Sequence, residues 1–134
     1  MWRIEFDSDK FLPTLPEEAQ ANPGVYGFEL ALWLSVKLSA TGLSTGYPLG
    51  EDWGWHIEHI DDDSEITVGC GSVTDEGDGH LGKPIHWRVF VGRPLSIKQR
   101  LTGRSESPKV RMVAEAVIQV LQAAGESPSI AEER

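Results

Sequence analysis

The feature that most constrains this fold is a ten-residue stretch, 52–61, in which large apolar and polar side chains alternate. Successive side chains of a β-strand point to opposite faces, so Trp53, Trp55 and Ile57 would share one face. Each of these side chains gains about 1.5–3 kcal/mol on leaving water, so that face is predicted to be buried. The pattern indicates a half-buried strand in a largely antiparallel sheet, with both tryptophans in the core. The alternative interpretation is that one tryptophan lines a groove.

Similar alternation elsewhere, together with two amphipathic patterns, predicts the rest of the fold. Strands are expected at 2–7, 43–49, 53–60, 65–73 and 85–91, and helices at 23–40 and 108–124. Strands that run together between two helices favour an α+β two-layer sandwich, in which both helices cover one face of a largely antiparallel sheet of about five strands. The order is β-α-β-β-β-β-α, and a right-handed crossover would make the first two strands parallel. Residues 1–125 are expected to form a single domain, and residues 126–134 a frayed C-terminal tail.

Local signals indicate where the elements begin and end. Thr14 and Glu17 have the spacing of a capping box, and Asn22 followed by a proline is typical of a helix N-cap. Gly42 and Gly125 are expected to end the two helices. The proline at position 48 cannot donate a hydrogen bond to a sheet, so the second strand is expected to lie at an edge or to end there.

Composition excludes several classes of protein. The net charge of −9 argues against nucleic-acid binding, because phosphate contacts need a basic surface. The single cysteine, Cys70, rules out an intramolecular disulfide and a cysteine-based zinc site. The amino terminus alternates and carries acids, unlike a signal peptide, and no apolar run approaches the length of a membrane span. We therefore expect a cytoplasmic protein without a cofactor, a membrane contact or a nucleic-acid partner.

Charge is distributed unevenly along the chain. Residues 51–78 contain ten acidic residues and no Lys or Arg, whereas residues 83–111 contain eight basic residues and one acidic residue. One interpretation is solvated turns that partly neutralise each other. The other is a dipolar surface that steers a charged partner: an acidic protein or a phosphate-bearing ligand to the basic part, or a basic protein to the acidic part. The acidic loop at 75–80 lacks the ligand spacing of an EF-hand, and a turn would splay the acids at 61–63. No metal site is therefore predicted.

Four side chains are candidates for acid–base chemistry. His56 and Glu58 share one strand face, and so do His86 and Arg88 on the last strand. If these strands are close, the four side chains could converge on the open face of the sheet as a catalytic group. Equally, such cross-strand pairs are common on an exposed sheet face. Cys70 is predicted to be buried and inert.

Another set of residues is predicted to bind a ligand or partner. The glycines at 69 and 71 leave one strand face nearly bare, which suits a bulge, a close neighbour or a ligand. Trp33 falls among the polar residues of the first helix, so either a loop covers it or it contacts a partner. The full set of candidate binding residues is Trp33, Gly69, Gly71, Arg88, Phe90 and Arg93.

The chain resembles a group of small uncharacterised bacterial proteins at residues 51–55, 69–73 and 75–79. The resemblance covers most of the chain and implies no activity. The residues themselves favour a small acidic binding or accessory protein that acts through an exposed sheet face and charged loops. The alternatives are a small hydrolase or isomerase-like enzyme that uses the His/Glu/Arg group, and a self-associating structural subunit with its contact at Trp33 or Tyr47.

Overall fold

A computed structural model describes residues 1–22, 24–60, 65–73, 83–93 and 108–132. Within these ranges the chain forms an α+β sandwich of one sheet and two α-helices, which confirms the predicted fold class. The sheet has six strands rather than five. The strands are β1 (Trp2–Ser8), β2 (Leu49–Glu51), β3 (Gly54–Ile60), β4 (Glu65–Ser72), β5 (Ile85–Gly92) and β6 (Ser129–Glu132). The helices are α1 (Phe28–Ala40) and α2 (Pro108–Ala123), and a short 3-10 turn (Glu17–Ala19) precedes α1.

The sheet is antiparallel throughout, with the strand order β2-β3-β4-β5-β1-β6. β1 and β2 point in the same direction, but they lie four positions apart in this order. The chain therefore crosses most of the sheet between them, and α1 lies on the crossing path. Because β1 lies between β5 and β6, the first and last strands of the chain are neighbours in the sheet.

The sixth strand is the largest correction to the sequence-based prediction. Residues 126–134 were expected to fray, yet Ser129–Glu132 pairs with β1. Gly125 ends α2 in the left-handed conformation (φ +90°), and the backbone N–H of Glu126 donates to the carbonyl of Leu121. The Glu126 carboxylate then accepts a 2.8 Å hydrogen bond from Ser8 Oγ and lies 3.4 Å from Lys10 Nζ. These contacts hold the chain after α2 beside the end of β1, where its backbone can pair.

The second strand is shorter than predicted and lies further along the chain. It spans Leu49–Glu51 instead of 43–49; before Pro48 the Gly46 N–H still donates to the Glu58 carbonyl of β3, but the ladder is continuous only after the proline, which has no N–H to donate. It lies at the edge of the sheet, as its proline predicts. A strand of three residues offers few unpaired backbone groups to another chain, which limits edge-to-edge association.

The segment between β1 and α1 does not form the predicted caps. Thr14 donates its hydroxyl to the Glu29 carboxylate at 2.9 Å, and the Asn22 amide donates to the Asp52 carbonyl at 2.6 Å. Glu17 accepts the Tyr26 hydroxyl at 2.6 Å, and burial together with this contact raises the pKa of Tyr26 to about 12. The capping polar groups thus hold a long connecting segment in place. The helix begins only at Phe28, not near residue 23.

The core lies between the helices and one face of the sheet. α1 packs on β3 and β4, α2 packs on β5 and β1, and the two helices also touch each other. The largest side chain without any exposure is Trp87, whose ring N–H has no hydrogen-bond partner among the described residues. Cys70 is also fully buried, as predicted, and burial raises the pKa of its thiol, so the thiol is neutral and unreactive. None of the described helices is both long enough and apolar enough to cross a membrane.

Candidate functional site on the open sheet face

The face of the sheet opposite the helices, called the open face below, carries side chains in rows that the strand register defines. Residues paired across antiparallel strands point to the same side. His56 pairs with Gly69, and Gly69 pairs with Phe90; Gly71 pairs with Arg88, and Arg88 pairs with Glu5. The two glycines leave β4 without side chains in the middle of this face, as the sequence predicts.

Trp53 lies on this open face, and the prediction that it belongs to the core is wrong. Asp52 and Trp53 form the turn between β2 and β3, so the strict alternation starts only at the next residues. Gly54 has φ +152°, and a Cβ atom there would lie 2.3 Å from the Cys70 carbonyl oxygen. This glycine conformation turns Trp53 away from the core. Trp55 remains on the helix side, with its ring centroid 5.1 Å from that of Phe28.

The glycines of β4 form the seat of the Trp53 indole. A Cβ atom at Gly69 would lie 2.5 Å from Cη2 of Trp53, and one at Gly71 would lie 2.7 Å from the Trp53 carbonyl oxygen. The ring therefore rests directly on the bare strip that the sequence predicts. Trp53 nevertheless remains 46% exposed. The two glycines predicted as binding residues thus position a large aromatic surface toward solvent.

Beside Trp53 lies His56 with two carboxylates. The Trp53 and His56 ring centroids are 6.5 Å apart. His56 Nε2 is 3.4 Å from Glu58 Oε1, and His56 Nδ1 is 3.7 Å from Glu51 Oε1. The imidazole is buried, whereas the side chains of Glu51 and Glu58 are 49% and 28% exposed. Carboxylates that solvent can reach therefore flank the histidine beside the indole.

A second charged group covers β1 and β5. Glu5 Oε1 accepts hydrogen bonds from His86 Nε2 at 3.0 Å and from Arg88 Nε at 3.1 Å, and Asp7 accepts one from His86 Nδ1 at 2.8 Å. Arg3 Nε lies 3.4 Å from the other oxygen of Glu5. The hydrogen bond from His86, aided by Arg88 and Arg3, lowers the pKa of Glu5 against the opposing effect of burial. The hydrogen bonds to Glu5 and Asp7 raise the pKa of His86.

Replacing His86 with glutamine is expected to destabilise the protein at pH 5.5 and to have little effect at pH 9. The pKa of His86 is raised above its ordinary value of 6.5 in the folded state, so its stabilisation is complete below that value and is lost as pH rises through the folded pKa. Glu5 stays ionised at pH 5.5 because its own pKa lies below 4.5. The loss should be about 1 kcal/mol or less, since the His86 side chain is 38% exposed.

Urea unfolding of the wild type and the His86→Gln variant at several pH values measures this difference. The control is the same pair of proteins in a Glu5→Gln/Asp7→Asn background, where the pH dependence of the difference should disappear. A difference that stays constant from pH 5.5 to pH 9 would show that the carboxylates do not hold the charge on His86.

The four predicted acid–base residues do not form a single group. His56 and Glu58 lie on β3, whereas His86 and Arg88 lie on β5, and the glycine strip of β4 separates them. Strands are about 4.8 Å apart, so the two pairs are separated by roughly 10 Å of sheet. His56 instead lies between Glu51 of β2 and Glu58, whereas His86 and Arg88 both contact Glu5 of β1.

The remaining predicted binding residues occupy separate places. Trp33 is half-buried on α1 under Phe11, with ring centroids 5.0 Å apart, so the segment after β1 covers it. Phe90 lies on the open face, 6.0 Å from the Arg88 guanidinium carbon. Arg93 is exposed directly after β5.

Within the described ranges, no cluster of three or more His, Cys, Asp or Glu residues has a geometry that could hold a metal ion. The acidic loops at 61–63 and 75–80 lie outside the described residues. No family model, curated protein or solved structure matches this chain. Function is therefore inferred from the geometry of the open face alone.

Proposed function

We propose that this chain is a small acidic cytoplasmic binding protein that acts through the β2–β3 half of its open face. The observation that supports this function is the exposed Trp53 indole on its glycine seat. Glycine inside a strand costs about 0.5–1 kcal/mol relative to alanine, and β4 has two glycines on this face. The two glycines lower the stability of this central strand but leave room for an exposed aromatic ring. This combination favours a role of the ring in binding a partner over a role in stabilising the fold.

The residues around Trp53 have the composition of an interaction surface. Leu49 is 53% exposed and Ile60 is 66% exposed, and both lie on the same face as Trp53. Glu51 adjoins Leu49 along β2, Glu58 adjoins Ile60 along β3, and both carboxylates lie near the buried His56. Rigid aromatic anchors surrounded by smaller apolar and polar groups are typical of protein interfaces. The set Leu49, Glu51, Trp53, His56, Glu58 and Ile60 is called the Trp53 surface below.

Replacing Trp53 with alanine is expected to abolish capture of the partner while leaving the protein folded. The free energy of unfolding should change by about 1 kcal/mol, because the side chain is half-exposed and outside the core. Tagged wild-type protein and variants would be expressed in cells of the source organism, and the co-purified proteins quantified by isotope-labelled mass spectrometry. A partner should be captured by the wild type and lost at least about ten-fold by Trp53→Ala.

Two further variants sharpen this comparison. Gly69→Ala introduces a Cβ atom 2.5 Å from the indole, so it should displace the ring and reduce capture without removing the tryptophan. Val36→Ala truncates a side chain that is 60% exposed on α1, and it should capture the partner normally. Enrichment of the chain itself, confirmed by light scattering, would identify the partner as a second copy. Equal capture by the wild type and Trp53→Ala would contradict the proposed function.

A further inference from the structure

We infer that the Trp53 surface binds an arginine or lysine side chain carried by a basic segment of a partner protein. This inference rests on the proposed function and adds the chemistry of the ligand. A cation above the face of an indole is attracted by about 0.5–2 kcal/mol, and tryptophan is the best aromatic residue for this contact. The Trp53 indole offers this contact, since it is 46% exposed while Cη2 and Cζ3 of its ring lie against Gly69.

Electrostatics favour a positive ligand at this position. Glu51 and Glu58 flank the histidine next to the indole, and both carboxylates are accessible to solvent. The sequence from residue 51 to residue 78, which includes β3 and β4, contains no Lys or Arg at all. The arginines of the open face are on the other half: Arg88 donates to Glu5 and lies over Phe90, across β4 from His56. The two carboxylates therefore make the β2–β3 side of Trp53 negative, while Arg88, opposite Gly71 on the other side, is paired with Glu5.

Two other aromatic rings of this protein have a cation beside them. Lys37 Nζ lies 5.9 Å from the centroid of the Trp33 ring, and the Arg88 guanidinium lies 6.0 Å from that of Phe90. Each of these partly exposed rings thus has a cation from its own chain. Within the described residues, Trp53 has only the His56 ring beside it. Its carboxylate neighbours are in place for a cation that this part of the chain does not supply.

The apolar flanks indicate a protein segment rather than a small free cation. The exposed Leu49 adjoins Glu51 along β2, and the exposed Ile60 adjoins Glu58 along β3. A small ammonium ion would leave both of them exposed to water. A polypeptide that carries a cation and neighbouring apolar side chains would cover Trp53, Leu49 and Ile60 together. The burial of their apolar surface would add to the affinity.

The test uses the complete chain labelled with ¹⁵N and follows the indole N–H signals by NMR. The Trp53 signal is identified as the one that disappears in Trp53→Phe. The probes are a blocked hexa-arginine peptide, a blocked hexa-glutamate peptide and a blocked uncharged Gly-Ser-Leu peptide. Hexa-arginine is expected to shift the Trp53 signal in a saturable manner, and hexa-glutamate and the uncharged peptide are not. Added salt should weaken the binding.

A matched pair of charge variants separates a local site from general attraction to an acidic protein. Glu51→Gln/Glu58→Gln removes two charges at the Trp53 surface and is expected to weaken hexa-arginine binding by about ten-fold. Glu18→Gln/Glu115→Gln removes two charges elsewhere, from exposed positions on the 3-10 turn and α2, and should have little effect. Equal weakening in both variants would overturn the inference, because it would show attraction to net charge alone.

Failure of the inference can be told apart from failure of the proposed function. If only the uncharged or the acidic peptide shifts the Trp53 signal, the surface binds ligands but not cations, and the inference is wrong. If no peptide shifts it while Trp53→Ala still abolishes partner capture in cells, the inference is again wrong and the proposed function stands. If neither experiment responds to Trp53, both are wrong.

Discussion

Replacing Gly54 with alanine is expected to destabilise the protein by about 2–4 kcal/mol. Gly54 has φ +152°, a conformation that residues with a Cβ atom rarely adopt, and the added atom would lie 2.3 Å from the Cys70 carbonyl oxygen and 3.0 Å from the Gly71 Cα atom. Both neighbours are backbone atoms of the central strand β4, so a rotamer change cannot relieve the clash. The variant must either separate β3 from β4 at this end or displace the turn that carries Trp53.

Urea unfolding, followed by far-UV circular dichroism, measures this loss. The matched control is Gly42→Ala, at the end of α1, where φ is +95° but no atom lies within 4 Å of the added Cβ. That variant should lose only the conformational part, about 1 kcal/mol. If the two variants were equally stable, the added Cβ atom at Gly54 would not clash with β4. The close approach of Gly54 to β4 would then not be what holds the turn with Trp53 in place.

Replacing Trp87 with alanine is expected to be the most destabilising tryptophan substitution, at about 3–5 kcal/mol. Trp87 is fully buried on the core face of β5, between the sheet and the helices. Its removal leaves a cavity that the surrounding side chains cannot fill without moving. Since a domain of this size has a total stability of about 5–15 kcal/mol, the variant should lose a large fraction of its stability. Its midpoint in urea, compared with that of the wild type, measures the effect.

Trp87→Phe separates the loss of volume from the loss of a polar group. The Trp87 ring N–H has no partner within the described residues, so its removal relieves an unpaired buried donor. Phenylalanine should therefore cost no more than about 1.5 kcal/mol despite its smaller volume. Trp53→Ala, on the open face, should cost less than Trp87→Ala by several-fold. A similar cost for both alanine variants would indicate that Trp53 is part of the core after all.

The contrast between these tryptophans explains why the open face was only partly predictable. Alternation correctly identified the faces of β1, β4 and β5, because the period of two is imposed by the backbone of any strand. It failed at Trp53, because the strand begins one residue later. The turn before it directs the Trp53 side chain to the open face instead of the core face. The signal was present in the sequence: an aspartate and a tryptophan followed by Gly54 have the composition of a turn. Because the Trp53 indole is large and apolar and lies two residues before Trp55, the alternation predicted burial instead.

The candidate site was predictable as a list of residues but not as an arrangement. His56, Glu58, His86 and Arg88 do lie on the open face, as expected from their strand positions. That they form two groups depends on the strand order, which places β4 between them, and on Trp53 covering the glycines of β4. Neither fact is encoded locally, because the partner of a strand is chosen by contacts between distant parts of the chain.

The sequence by itself determined the local elements of this protein. The periodic patterns specify most of the strands and α2, and Gly42 and Gly125 end the helices because only glycine adopts the left-handed conformation without strain. The tertiary structure alone decided three features: the start of α1 at Phe28, the pairing of β6 with β1, and the seat of Trp53 on Gly69. Each of them depends on hydrogen bonds or packing between residues far apart in the sequence. Such contacts form only when the whole sheet is assembled, which is why local periodicity could not reveal them.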